Sequence, residues 1–213
     1  MIHSQFIQQI TVMVITLVVS QMTWTETEFS HSVYLNNDLQ KNYAAEILGE
    51  KTERPQLTNK QIYQVFIQEL PKKWKVDAMK VTNVLIRESQ KRGIDPVLTL
   101  AVIKTESQFN PIAIGTVGEI GLMQIRPETA QWIARKFGFK WLGKNSLKDP
   151  AINIQFGLAY MSYLKEKYKN QAVKYINAYN LGPTNVIRMG QKVKAHYYAQ
   201  VVTNRYQDFY QTL

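Results

Sequence analysis

The chain contains no cysteine. Disulfides, thiolate metal sites and cysteine nucleophiles are excluded, but the compartment stays open because exported proteins can also lack the residue. Histidine is nearly as scarce. His3, His31 and His196 are scattered and none has ligand spacing, so neither a metal site nor a cofactor is expected. Acidic residues are also few, 16 against 26 basic ones, for a net charge of +10. From Lys140 onward only Asp149, Glu166 and Asp208 oppose eleven Lys and Arg. This excess is compatible with an anionic partner (nucleic acid, a membrane surface or an anionic wall polymer) and equally with a solvated basic surface. The basic tail with Tyr197 and Tyr198 permits nucleic-acid binding, but no recognised binding motif accompanies it. No repeat or low-complexity tract is present.

The first 25 residues lack Lys, Arg, Asp and Glu altogether. Within them, residues 10–19 form an apolar run near the length of a signal-peptide core, followed by small residues at Val18-Val19-Ser20. A cleaved signal, an uncleaved membrane anchor and a buried core helix all remain open, and the first two export the rest of the chain. Residues 1–25 are therefore read as a signal peptide or membrane anchor, and residues 26–74 as a polar linker ending in a pre-domain helix. Residues 75–213 are read as the compact globular domain. With 213 residues and 45% hydrophobic content, one core of ordinary size is expected beside that extension.

Thr58 is placed to cap a helix that carries Ile62, Val65, Phe66 and Leu70 on one face and stops at Pro71. Residues 77–92 carry Met79, Val81, Val84, Leu85 and Ile86 at helical spacings, with Gly93 as the stop. Asp95-Pro96 pairs an N-cap with a first-position proline and opens a helix reaching about Gln108. Residues 111–126, with Gly115, Gly118 and Gly121, read as a loop or small hairpin. Helices then follow over 127–137, from Asp149-Pro150 to about Tyr168, over 171–180, and along the tail from Thr184 to about Tyr210. The fold class is mainly α, with one irregular glycine-rich insert.

Glu106 stands at the end of the Asp95-Pro96 helix. Leu98, Val102 and Glu106 are spaced i, i+4, i+8, so the carboxylate continues an apolar stripe. A carboxylate on a buried stripe is desolvated, and a helix C-terminus disfavours negative charge, so both effects raise its pKa. A Glu kept protonated near neutral pH can give its proton to a leaving oxygen. Periodicity alone favours the plainer reading, a Glu that turns out to solvent in the last turn.

The segment from Ala101 to Pro111, with Glu106-Ser107 at its centre, resembles the "ES" motif of the soluble lytic transglycosylases, relatives of goose-type lysozyme. Three further blocks match in order: Gly118 to Ala130 resembles the GLMQ block, Asn153 to Tyr160 the third motif, and Ala178-Tyr179-Asn180-Leu181-Gly182-Pro183 the AYNAG motif. Four ordered blocks across roughly residues 77–190 are a specific signal where one would be weak. The resemblance implies a lysozyme-like α-helical globule. It implies cleavage of the β-1,4 bond between N-acetylmuramic acid and N-acetylglucosamine in peptidoglycan, leaving 1,6-anhydromuramoyl ends without consuming water. Glu106 is the implied acid and then base, a chemistry that needs one carboxylate where ordinary glycosidases use a flanking pair.

Other roles are carried over from the same resemblance. Met123 and Gln124 are expected beside the scissile bond, Tyr179 close to Glu106, and Asn180 on the sugar or at a turn. Ser107 is grouped with the substrate-binding residues, although fixing the helix end is its favoured role. Gly121 and Gly182 read as backbone requirements, and Tyr160 and Phe109 as possible core aromatics. The expected partner is the peptidoglycan strand, with secretion, conjugation or pilus machinery and N-terminal membrane attachment as further options. The expected location is periplasmic or on the outer face of the inner membrane. Three departures stand out: Glu119 where the family usually has Ala, Leu181 in place of a small residue, and Gly115 in place of a common Ser. Glu119 reads either as an exposed loop charge or as a second groove carboxylate, which would reopen hydrolysis. A hydrolytic muramidase and a non-catalytic wall-binding module are the rival readings.

Overall fold

Thr58 starts the first helix with a reciprocal cap. Its hydroxyl accepts the Gln61 amide at 3.3 Å while the Gln61 side chain accepts the Thr58 amide at 2.9 Å. The structure, a computed structural model, describes residues 58–195 and 197–212, so the expected signal or anchor and most of the expected linker lie outside the described residues. Helix α1 (Asn59–Glu69) buries Ile62, Val65 and Phe66, the stripe its periodicity predicts. That stripe is covered by α2 (Ala78–Arg92), and α1 belongs to the same compact unit, Lys51–Leu213, as the helices that follow. A 3₁₀ turn (Lys72–Asp77) joins the two helices.

Helix α2 turns Val81, Leu85 and Ile86 inward, but Met79 lies on its outer face, 54% exposed. After Gly93 come α3 (Pro96–Glu106), α4 (Pro127–Phe137), α5 (Pro150–Lys167), α6 (Ala172–Leu181), α7 (Pro183–Met189) and α8 (Tyr197–Thr212). Short 3₁₀ segments, Lys144–Lys148 and Gly190–Ala195, precede α5 and α8. Both Asp-Pro pairs cap as expected. Asp95 accepts the Val97 amide at 2.8 Å, and Asp149 accepts those of Ala151 and Ile152 at 2.8 and 3.0 Å.

Two helices form the centre because each buries residues on more than one face. In α3 the whole run Val97–Ile103 is buried. In α5 ten residues, from Pro150 to Leu164, are buried. Helix α5 packs against α2, α4 and α6, and α3 packs against α8. Between α3 and α4 the glycine-rich segment folds back on itself through two isolated antiparallel bridges, Ile114 with Ile120 and Ile120 with Ile125. The C-terminal tail is helical as expected, but in three pieces.

Candidate active site

Helices α3 and α8 run antiparallel, and tyrosines of α8 bond to a carboxylate at each end of α3. At the α3 N-terminus, Asp95 uses Oδ1 as the helix cap and Oδ2 to accept the hydroxyls of Tyr206 (2.6 Å) and Tyr210 (3.1 Å). At the C-terminus, the Tyr198 hydroxyl donates to Glu106 Oε1. Asn177 of α6 holds the start of α8 in place. Its Oδ1 accepts the Ala199 amide and its Nδ2 donates to the Val193 carbonyl, both at 2.9 Å.

Glu106 is partly buried in the last turn of α3. Burial pushes its pKa up to about 7; the Tyr198 hydrogen bond opposes that shift, and the nearby Glu119 charge adds to it. The same burial, together with the Glu106 charge, raises the Tyr198 and Tyr179 phenols well above their usual range, so both stay neutral donors. The arrangement is a carboxyl group whose pKa burial has raised toward neutral, bonded by the neutral Tyr198 hydroxyl.

Beyond Glu106 the chain makes a strained turn. Gln108 and Phe109 take positive φ values of 50° and 61°, and Gln124 across the site takes 47°. Such conformations in side-chain-bearing residues cost of order 1–3 kcal/mol each and persist only where the surroundings enforce them. Here Phe109 is fully buried with its ring edge-on to Phe66 at 5.8 Å, so it is a core aromatic. The Ser107 hydroxyl bridges the carbonyls of Ile103 (3.2 Å) and Leu122 (2.7 Å), which ties the end of α3 to the glycine-rich segment. Its hydroxyl is engaged by the backbone, the helix-fixing role.

Met123 is a correction. Its side chain is fully buried against Gly157 of α5, so the thioether packs into the core and does not line a groove. A Cβ on Gly157 would come within 2.8 Å of Met123 Cε. Met123 acts through its backbone: its amide donates to Asn153 Oδ1 at 2.7 Å and its carbonyl accepts the Tyr179 hydroxyl at 2.9 Å. Tyr179 therefore sits in the field of Glu106 but bonds to the loop behind it, with the Tyr160 ring 5.5 Å away. Gln124 is partly exposed, and its Nε2 donates to the carbonyls of Ala113 (3.2 Å) and Gly121 (2.9 Å). Asn180 is exposed near the end of α6.

Asn153 fastens the loop to the core. Wholly buried in α5, it accepts from Met123 and donates to the carbonyls of Ile120 and Leu147, both at 2.8 Å. Gly121 lies against it with φ 83°, and a Cβ there would meet the Asn153 amide and the Leu147 carbonyl. Gly121 is required by both conformation and space. Gly182 has φ 80° with open space around it, so conformation alone requires it.

Sequence reasoning missed Tyr198, Asn153 and the Asp95 anchor. A polar Asn153 set among Ile152, Ile154 and Phe156 was a usable sign of a buried hydrogen-bonding hub. No local signal links Tyr198 to a residue so distant in the chain.

Fold and site together define a lysozyme-like helical scaffold that holds a partly buried carboxyl group of raised pKa at a helix end beside a glycine-rich insert. Residues 83–202 match the family model of the Transglycosylase SLT domain, and the chain belongs to that family. Over 168 residues it is 34% identical to the membrane-bound lytic murein transglycosylase C of Mannheimia succiniciproducens, covering 72% of this chain and 46% of that protein. The protein of the same name from Sodalis glossinidius is 34% identical over 139 residues, covering 61% of this chain and 39% of its own length. The chain thus spans less than half the length of these curated relatives. Among solved structures, it resembles an inactive mutant of the lytic transglycosylase Slt from Pseudomonas aeruginosa. That match has a TM-score of 0.56 and 26% identity, over 70% of this chain and 27% of that one. The 70 kDa soluble lytic transglycosylase of Escherichia coli shares the fold, with a TM-score of 0.56 at 22% identity over 84% and 34% of the two chains.

Proposed function

We propose that the protein is a peptidoglycan lytic transglycosylase that cleaves the β-1,4 bond between N-acetylmuramic acid and N-acetylglucosamine, with Glu106 as its acid and base. The observation that carries this reading is the placement of Glu106: a partly buried carboxyl in the last turn of α3, bonded by the Tyr198 hydroxyl, where burial pushes its pKa up to about 7. Protonated, Glu106 gives its proton to the glycosidic oxygen as the bond from the muramoyl C1 breaks. The resulting carboxylate keeps the Tyr198 hydrogen bond, which stabilises the charged form. It then takes the proton of the muramoyl C6 hydroxyl as that oxygen closes on C1. The proton returns to Glu106, no water is consumed, and the product is a 1,6-anhydro end.

In this reading Gln124 and Asn180 shape the sugar-binding surface, while the buried Tyr179, Ser107, Gly121 and Gly182 hold the backbone behind it. The relatives are membrane-bound murein enzymes by name. Their similarity supports an exported, envelope-associated protein, periplasmic or held at the outer face of the inner membrane. Service to a secretion, conjugation or pilus machine belongs to the same proposal.

Digestion of purified peptidoglycan, with mass analysis of the fragments for wild type and Glu106→Gln, tests it. Anhydro ends, lighter by one water than reducing ends, are expected from the wild type and not from the variant. Reducing ends alone would make the protein a hydrolytic muramidase. Binding with no cleavage by either protein would make it a wall-binding module.

A further inference from the structure

Glu119 and Gly115 depart from the family pattern together, and the geometry ties them to each other. Gly115, Glu119 and Gln124 are all partly exposed. The Gly115 amide donates to the Glu119 carbonyl at 2.8 Å, closing the turn, and the Val117 amide donates to Glu119 Oε2 at 3.2 Å. That carboxylate then lies over the face of Gly115 where a side chain would stand. A Cβ built there would overlap Glu119 Oε2 and meet Gln124 Oε1 at 2.8 Å. The Glu119 carboxylate thus fills the space of a residue-115 side chain.

The chemistry of that surface is one-sided. An ionised carboxylate only accepts hydrogen bonds. Gln124 could donate, but its Nε2 is already directed at the carbonyls of Ala113 and Gly121, so its Oε1 is the atom turned toward Gly115. A serine hydroxyl at 115 would both donate and accept, whereas the Glu119–Gln124 pair accepts only. The pair also lies in the neighbourhood of the reacting centre, because the Glu119 charge is felt at Glu106.

We propose that Glu119 and Gln124 form an acceptor-only subsite over Gly115 that binds a hydrogen-bond donor of the glycan, an acetamido N–H or a sugar hydroxyl, and so makes Glu119 a specificity-determining residue. The assignment rests on the proposed function and concerns ground-state binding. Its effect falls on KM more than on kcat.

The test is steady-state release of fragments from solubilised glycan strands by the full chain. Wild type, Glu119→Ala, Glu119→Gln, Gly115→Ser and the double variant Gly115→Ser/Glu119→Ala are compared, with thermal melts as a folding control. Glu119→Ala is expected to raise KM about tenfold, the usual scale for a hydrogen bond to a charged group, with kcat little changed. Glu119→Gln keeps one acceptor oxygen and is expected to fall between wild type and Glu119→Ala. Gly115→Ser should impair the parent through overlap with the carboxylate, yet in the Glu119→Ala background it should return KM most of the way to wild type. A merely structural role for Glu119 would not give that rescue. An unchanged KM in Glu119→Ala overturns the subsite. So does a lower KM in Glu119→Gln than in wild type, which would mean that the glycan offers an acceptor there. Equal damage from Gly115→Ser in both backgrounds overturns the steric exchange. Wild-type protein that releases no fragments overturns the proposed function as well, whereas active wild type with an indifferent Glu119 overturns the subsite alone.

Discussion

The Tyr198 hydroxyl donates to Glu106 Oε1 across ninety-two residues of sequence. That bond favours the ionised carboxylate, against the burial that favours the protonated one. Glu119 acts in the opposite sense, since its charge opposes ionisation of Glu106. The two neighbours therefore bracket the pKa of about 7 from either side. In a proton-donating role, Glu106 is active while protonated, so kcat/KM should fall as pH rises through about 7. Tyr198→Phe removes the stabiliser of the anion and should move this alkaline limb to higher pH. Glu119→Ala removes a like charge and should move it lower. The two pH–rate profiles check this, and displacement in the same direction would contradict the assignment.

Glu106→Gln should cost about 10² to 10⁴ in rate, the usual contribution of a positioned acid. Its effect on stability should have a definite sign. The folded-state pKa of Glu106 lies above the unfolded value of 4.5, so the folded protein holds the proton more tightly between those pH values. Stability contributed by this group is present at low pH and is lost as pH rises toward about 7, because an ionised Glu106 is poorly accommodated in the fold. The variant should melt with the wild type near pH 4 and several degrees above it near pH 8. Parallel melting curves over the whole range would refute the buried-carboxylate account.

Asn153→Ala should destabilise the protein by about 2–4 kcal/mol, since it leaves the Met123 amide and the Ile120 and Leu147 carbonyls without their partner in a dry site. Asn153→Asp sets an acceptor against those two carbonyls and should be no better tolerated. Chemical denaturation measures both. Loss of activity below the melting transition is also expected, because the glycine-rich segment that carries Gln124 and Glu119 would be released from α5.

Gly121→Ala combines a positive φ of 83° with overlap against Asn153 and Leu147. A cost of about 2 kcal/mol or more is expected, above the roughly 1 kcal/mol of a left-handed conformation alone. Gly182→Ala meets no overlap, because its surroundings are open, but φ 80° with ψ 150° is a conformation almost confined to glycine, so about 1–3 kcal/mol is expected from the backbone alone. Thermal melts of both variants are the check, and an unshifted Gly121→Ala would remove the steric argument there.

Asp95→Ala should act at a distance. It removes a helix cap, worth about 1 kcal/mol, and the shared acceptor of Tyr206 and Tyr210. Helix α8 then loses its far anchor, and Tyr198 its fixed approach to Glu106. Alongside the lower melting temperature, the alkaline limb should move upward as in Tyr198→Phe. A stability loss with an unmoved limb would confine Asp95 to a structural role.

Much of the helical layout was legible in the residues. The Asp95-Pro96 and Asp149-Pro150 starts, the Gly93 stop and the irregular glycine-rich insert follow from capping, ring geometry and backbone freedom, which act within a few residues of chain. Met79 was misleading because spacing marks an apolar face but does not say where its edge meets solvent. Met123 was misleading in another way: within one block, a residue can matter through its amide and carbonyl while its side chain is turned into the core.

Short-range chemistry written along the chain was enough to define most of the helices, and four ordered motif blocks pointed to the family and to Glu106 as its candidate carboxylate. Which groups surround that carboxylate depended on contacts between distant elements. The Tyr198 hydroxyl, the Glu119 charge, the Asn153 fastening and the burial that sets the pKa of Glu106 arise only when α3 is packed against α8 and the glycine-rich segment is drawn onto α5. Hydrogen bonds and desolvation depend on separations in space, and those come into being with the packed core.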